Sequence, residues 1–407
     1  MDVQVAMNED GYIRLSSGDV DQHSPSIIIA GDLCPIGQCE KLLSTGQVEQ
    51  LCPEIIQNLR AVDLAIVNLE CPLTSQMAPI IKSGPHLRAD PACARGIRAA
   101  GFEVVSLANN HIMDMGEGGL ADTMAACTEA GLKTVGAGKN LAQAARPEWV
   151  DVKGVRVAIL AFAENEFSIA TPHSSGACPV DPLSNFHQIT QAKQEADFVL
   201  VILHGGNEYY ELPSPSLVKL CRYFVDLGAH AVICNHVHVP GGMEIHEGVP
   251  IIYSSGNFLF EWENEIDGWY KGFLVQLSIH SGAVDAVQLI PYWQSKNRVG
   301  VTLMDQGEKR QFLAEVANLS KVIANPDELN EKWDQFVQSK REQYLNSLFN
   351  LSKVERKMLR SGIWPFWRFK RSDAIRLLNL FACESHHNVI VSLLSTEFGV
   401  TERDGKK

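Results

Sequence analysis

The chain has 407 residues, with 35 Lys and Arg against 48 Asp and Glu, for a formal net charge of −13. That balance argues against a nucleic-acid partner, whose electrostatic footprint is basic. It also makes an anionic substrate depend on a bound cation that reverses the local sign.

Residues 1–24 are polar and acidic without periodicity and read as a loose lead-in. PSIIIAG (25–31) is a short β-branched run ending in Gly, the pattern of a buried strand. A helix near 48–60, a strand in DLAIVNLE (63–70), a helix over 90–100 and a strand in EVVSLA (103–108) follow. GGLADTMAACTEAG (118–131) is an amphipathic helix closed by Gly131, and 150–164 reads as a hairpin around Lys153-Gly154. DFVLVILHGG (197–206), HAVICNH (230–236) and VPIIYSSGNFLF (249–260) repeat the buried-strand pattern, with a helix over 217–229. Residues 272–293 form a strand pair turning near Ser281-Gly282. Alternating strands and helices point to a layered α/β fold. After about residue 300 the chain becomes charged and helical, over 306–360 and again over 372–396. The aromatic break between them, with Trp and Phe at 364–369, is expected to pack the helical appendix onto its domain rather than meet a membrane interface. The organisation expected is a lead-in (1–24), an α/β domain (25–300) and a helical C-terminal extension (301–407).

The 10 cysteines form no CxxC pairs and read as reduced thiols of a cytoplasmic protein. The N-terminus has no signal-peptide pattern, and no apolar run approaches the ~18 residues that would span a bilayer.

Five polar clusters each follow a strand pattern: Asp32 with Cys34, Asn68 to Glu70, Asn109 to His111, His204 with its two glycines, and His236 with His238. Ligands bind at that edge of open α/β sheets. Carboxylates, an Asn carbonyl and neutral imidazoles together suit one or two divalent ions such as Mn, Zn or Fe. His236 and His238, two apart on an extended segment, reach the same side. An imidazole outside the metal set, such as His111, can protonate a leaving group. Glu208 can steer substrate, Asn257 can line the pocket, and Asp114 supports the loop that carries His111.

The ordered blocks GDLCPIG, VNLECPLT, SLANNHIMDMGEGGLADT, VILHGGNEYYELP and ICNHVHVPGGMEIHEGVPIIYSSGNFLF resemble the signature blocks of the capsule-synthesis CapA (poly-γ-glutamate synthesis, PGA_cap) family. The resemblance implies a calcineurin-like metallophosphoesterase sandwich of two mixed β-sheets flanked by helices. It implies Asp32, Glu70, Asn110, His204, His236 and His238 as metal ligands and His111 as general acid. From their own positions, Asn109, Glu208 and Asn257 are substrate-binding candidates, with a bond to the loop backbone as the other role open to Asn109, orientation of a ligand to Glu208 and a turn role to Asn257. There are departures. Cys34 stands where the D-x-H histidine is usual, either as a replacement ligand or as a small buried group. The bridging position is Glu70 rather than Asp, and Asn235 precedes His236 where Gly is usual. The function implied is metal-dependent hydrolysis of a phosphoester, or of an amide in a glutamate polymer, during capsule, polyglutamate or exopolysaccharide production. An anionic polymer or phosphoester is the substrate, and capsule-synthesis proteins are the partners. The alternative is a non-catalytic polymer-binding or assembly subunit.

Overall fold

The computed structural model describes residues 7–16, 24–296, 298–361 and 363, and most of 370–394. The aromatic run 364–369 lies outside the described residues. By contacts the chain divides into two compact units, one within 1–80 and 84–329 and the other within 81–83 and 330–407.

The first unit is a layered α/β sandwich built on two mixed sheets. The nine-stranded sheet runs in the order Tyr12–Arg14, Ala283–Gln294, Lys271–His280, Ser26–Cys34, Leu64–Leu69, Val104–Ser106, Lys133–Val135. Asn257–Phe260 pairs beside Ser26–Cys34, and Val301–Leu303 beside Ala283–Gln294. The strands from Ser26–Cys34 to Lys133–Val135 are parallel. The six-stranded sheet runs Met243–His246, Val249–Ile252, Ala231–Asn235, Phe198–His204, Val155–Ala163, Glu148–Val152, parallel in the middle and antiparallel at both edges. Runs such as Ile27 to Ile29 and Phe198 to Leu203 are apolar throughout because parallel strands are covered on both faces.

Alternation along the six-stranded sheet assigns its two faces. Leu200, Ile202, Ala231 and Ile233 join the core shared with the other sheet. Val199, Val201, Leu203, Val232 and Cys234 pack instead against Cys221, Phe224 and Val225 of the outer helix Pro215–Asp226.

Several elements depart from the sequence reading, each for a local reason. Residues 249–260 are two strands in different sheets, broken where Gly256 takes a left-handed φ of 73°. The expected helix over 48–60 divides at Cys52, because Pro53 has no N–H to continue it and opens a new helix. The lead-in contains a strand, Tyr12–Arg14, because Ile13 is buried against the sheet edge. The helix Gln306–Ile323 joins the first unit through Phe312, Leu313 and Val316, and its Ser320 hydroxyl accepts the Met243 N–H at 2.9 Å. The described part of the second unit is helical. In it Arg360 pairs with Glu342 at 2.6 Å.

His230 opens the Ala231–Asn235 strand. Its Nδ1 accepts the Val199 N–H at 2.7 Å, and its ring stacks on Phe198 at 5.2 Å. Burial and the neighbouring Lys193 push its pKa down to about 4. The unfolded chain takes up this proton first, so the stability His230 contributes is present above about pH 6.5 and lost as pH falls toward 4. In urea unfolding, the gap between wild type and His230→Ala should narrow by about 1–2 kcal/mol between pH 7 and 4.5, after discounting for partial exposure. A gap constant over that range would remove His230 from the acid lability.

Candidate metal centre

The polar clusters converge at the C-terminal ends of the central parallel strands of both sheets. Asp32 sits in Ser26–Cys34, Glu70 just after Leu64–Leu69, and His204 ends Phe198–His204. Asn109 to His111 follow Val104–Ser106, and His236 and His238 follow Ala231–Asn235. The turn carrying His236 and His238 is bent: both residues have left-handed backbone, at φ 100° and 62°. Strained conformations of this kind cost about 1–3 kcal/mol each and persist where the surroundings impose them. Here the His236 N–H donates to Asp32 Oδ2 at 3.1 Å.

Two buried donor sets result, Glu70–His204–His236 and Asp32–Glu70–His238, with the ligand atoms of each within 4.8 Å of one another. Glu70 belongs to both. His204 Nε2 lies 3.1 Å from Asn110 Oδ1, 3.1 Å from His236 Nδ1 and 3.5 Å from Glu70 Oε1. His238 Nε2 lies 3.7 Å from Glu70 Oε1, while its Nδ1 is 3.5 Å from Asp32 Oδ2. Glu70 is fully buried, and neither of its carboxylate oxygens makes a hydrogen bond. Carboxylate oxygens without hydrogen bonds, facing several imidazoles, are the donor chemistry of a divalent cation, and these groups can hold one.

The electrostatics show how strongly the groups interact. Burial opposes ionisation of Asp32, but hydrogen bonding and charge from His238 and His204 hold its carboxyl below the usual range. Burial likewise disfavours charge on His238, yet Glu70 and Asp32 raise it to about 9. His204 is also raised against burial, first by Glu70. His236 is held well below its usual value by burial and by the charges of His204, His238 and His111, which keeps its ring neutral.

The loop residues divide by role. His111 Nδ1 pairs with buried Asp114 Oδ2 at 2.7 Å, and Asp114 also accepts the Leu87 N–H at 2.6 Å. Asn109, expected near substrate, is instead engaged within the loop. Its amide donates to Leu69 O at 2.8 Å and its oxygen accepts the His111 N–H at 3.2 Å. Asn257 is fully buried and orients His238, with Oδ1 at 3.0 Å from its Nδ1, rather than lining open space. Glu208 is exposed, and its charge acts on His238 and on Tyr209.

Asn68 was read only as a member of the cluster ending in Glu70, and two further residues, Glu164 and Tyr209, escaped the sequence reading. Asn68 bonds Asp32 Oδ1 at 2.8 Å and approaches His204 Nδ1 at 3.2 Å. Its signal was alternation, two places before Glu70 on the same strand. Glu164 follows the Val155–Ala163 strand. Burial raises its pKa, and its backbone N–H bonds His204 O at 3.0 Å. The strand-end position was its signal. Tyr209, 39% exposed, holds its ring 6.1 Å from that of His238 with a left-handed φ of 63°. Nothing in the pattern announced it.

The sequence model of the family described as "Bacterial capsule synthesis protein PGA_cap" matches residues 26–262, the stretch that carries every residue of both donor sets. The chain belongs to this family. Among PGA_cap relatives, the capsule biosynthesis protein CapA of Bacillus anthracis is 35% identical over 215 residues, 51% of this chain and 51% of that protein. This chain thus aligns with about half the length of that relative. The PGA biosynthesis protein CapA of Bacillus subtilis (strain 168) is 29% identical over 273 residues, 65% of this chain and 70% of that protein. Among solved structures, a hypothetical protein from Thermus thermophilus aligns at TM-score 0.41 and 16% identity, over 66% of this chain and 99% of that one.

Within the PGA_cap region, Cys34 is fully buried in the larger core and lies outside both donor sets. Burial, Cys71 and Glu70 push its thiol well up. Gly31 is required by close approach: a Cβ there would lie 1.8 Å from the Gly256 carbonyl oxygen, which accepts the Asp32 N–H at 3.3 Å. Gly31→Ala should cost roughly 2–3 kcal/mol in urea unfolding, because backbone rather than a side chain must yield. Wild-type stability in that variant would show that the two strands separate freely there.

Proposed function

We propose that this PGA_cap protein is a metal-dependent phosphoester hydrolase acting in bacterial capsule, polyglutamate or exopolysaccharide production. The observation that carries the reading is Glu70, buried without hydrogen bonds and common to two donor sets. Asp32, Glu70, Asn110, His204, His236 and His238 hold the cations, Mn, Zn or Fe by their donor types. A divalent cation bound there supplies Lewis-acid polarisation of a phosphoryl oxygen and lowers the pKa of water.

The chain's own residues do the rest. Asp114 takes the Nδ1–H of His111 and fixes its tautomer, which assigns proton delivery to the leaving oxygen to Nε2. Asn109 holds the His111 backbone in place. Asn257 and Asn68 orient His238 and His204. The family and relatives' names support the capsule setting, and an amide of a glutamate polymer is the other bond open to this chemistry. Cys34, standing where a ligand histidine is usual but buried in the apolar core and outside both donor sets, favours the second reading of a polymer-binding subunit.

Elemental analysis of chelator-free protein should find one or two transition-metal ions per chain, lost in His236→Ala and kept in His111→Ala. His111→Ala should lower hydrolysis of bis(p-nitrophenyl) phosphate by about 10²–10⁴-fold. Absence of metal after reconstitution with Mn or Zn would favour the polymer-binding reading.

The raised pKa of His238, about 9, adds a pH signature. Below that value the cation must displace a proton, so affinity rises with pH and levels off above 9. Calorimetric titration of stripped protein with Mn at pH 7.5, in buffers of different ionisation enthalpy, should show net proton release. Binding heats independent of the buffer would contradict it.

A further inference from the structure

Resting on the metal-centre reading, the two donor sets are unequally furnished. Glu70, His204 and His236 are joined by Asn110, whose Oδ1 lies 3.1 Å from His204 Nε2. Among the described residues no fourth His, Cys, Asp or Glu joins Asp32, Glu70 and His238, and Cys34, at the position where a histidine is usual, is buried in the apolar core outside both sets.

The carboxamides around the site narrow the search for that donor. Asn68 donates to Asp32, and its oxygen faces the Asn109 amide at 3.4 Å. Asn109 is engaged by Leu69 and His111. Asn257 presents its oxygen to His238 Nδ1. Asn235 remains. It is 1% exposed, and neither its oxygen nor its nitrogen has a hydrogen-bond partner.

Its position is fixed by the strands. Asn235 pairs in register with His204 across the sheet. Alternation from Ala231 and Ile233 places its side chain on the face between the sheets, the same face that His204 continues from Leu200 and Ile202. The N–H of the next residue, His236, binds Asp32 Oδ2 at 3.1 Å, which brings the end of this strand up to the under-furnished set. A buried amide with both groups unpaired costs about 1–3 kcal/mol per group.

We propose that the Asn235 carboxamide oxygen is the fourth protein donor of the Asp32–Glu70–His238 set. It replaces the ligand lost where Cys34 stands, so the centre takes two divalent cations. With one nitrogen and three oxygen donors, this second position suits a harder ion such as Mn.

The test uses the full chain stripped by chelator and titrated with Mn by calorimetry, with elemental analysis after desalting. Wild type should take up two Mn. Asn235→Leu, a volume-matched change that removes the unpaired amide, should weaken the second Mn by at least about tenfold while unfolding in urea at the same or higher concentration. Asn235→Asp, which substitutes a carboxylate, should tighten the second Mn. Two Mn bound by Asn235→Leu with wild-type affinity would overturn the inference and make the amide a partner of buried water. Wild type holding a single Mn would also overturn it while leaving the metal centre standing. Wild type holding none would remove the metal-centre reading itself. Should Asn235→Leu fail to fold, Asn235→Asp decides: a second Mn no tighter than in wild type overturns the proposal.

Discussion

Two buried carboxylates at the ends of adjacent parallel strands are the constraint on which the rest of the centre depends. Asp32 is 1% exposed and Glu70 fully buried, with ligand atoms within 4.8 Å of each other. At that separation and an effective dielectric near 20, like charges repel by on the order of 3 kcal/mol, before the cost of removing each from water. Nothing apolar can relieve this, and the groups placed against the two carboxylates are imidazoles and amides. The carboxylates in turn raise His204 and His238 against the effect of burial, His238 to about 9, so the imidazoles facing them offset part of that repulsion.

The scaffold brings the carboxylates together by joining two sheets at their C-terminal edges. Asp32 and Glu70 belong to one sheet, and His204, His236 and His238 to the ends of strands in the other. The chain passes from one sheet to the other between Ile252 and Asn257. There the left-handed turn at Gly256 puts its carbonyl against Asp32, and Gly31 leaves the room for it. The strained turn at His236 and His238 completes the ring of donors. Strain, close backbone approach and unpaired buried polar atoms all concentrate here. That is where a fold under functional demand departs from its own local preferences.

The acidic net charge of the chain bears on what such a centre can do. A net charge of −13 repels anions at a distance, so any affinity for an anion at this site would have to come from a local positive charge. His111 stands apart from the donor sets in its hydrogen bonding: its Nδ1 pairs with Asp114, which the Leu87 N–H also holds.

The strand ends were legible in the sequence because the local signal is strong. Buried parallel strands read as unbroken β-branched runs, and the polar residue that ends each run stands out against them, as Asp32, Glu70, His204 and His236 do. The hairpin turns at Lys153-Gly154 and Ser281-Gly282 were legible for the same local reason, since both require left-handed backbone. What the residues touch was not legible. Asn109 and Asn257 carried the same polar signal as the ligands, yet each is held by neighbours distant in sequence, Leu69 and Trp269 among them. Asn68 was legible only as part of a polar cluster and Asn235 only as a departure from the family motif, while the reading of Cys34 as a small buried group agrees with its place in the core. Local pattern determines that a side chain is polar and where its strand ends. Which partners surround it depends on the register between strands and on how the two sheets meet, and only the tertiary structure decided that, because those contacts join residues from 12 to 204 positions apart.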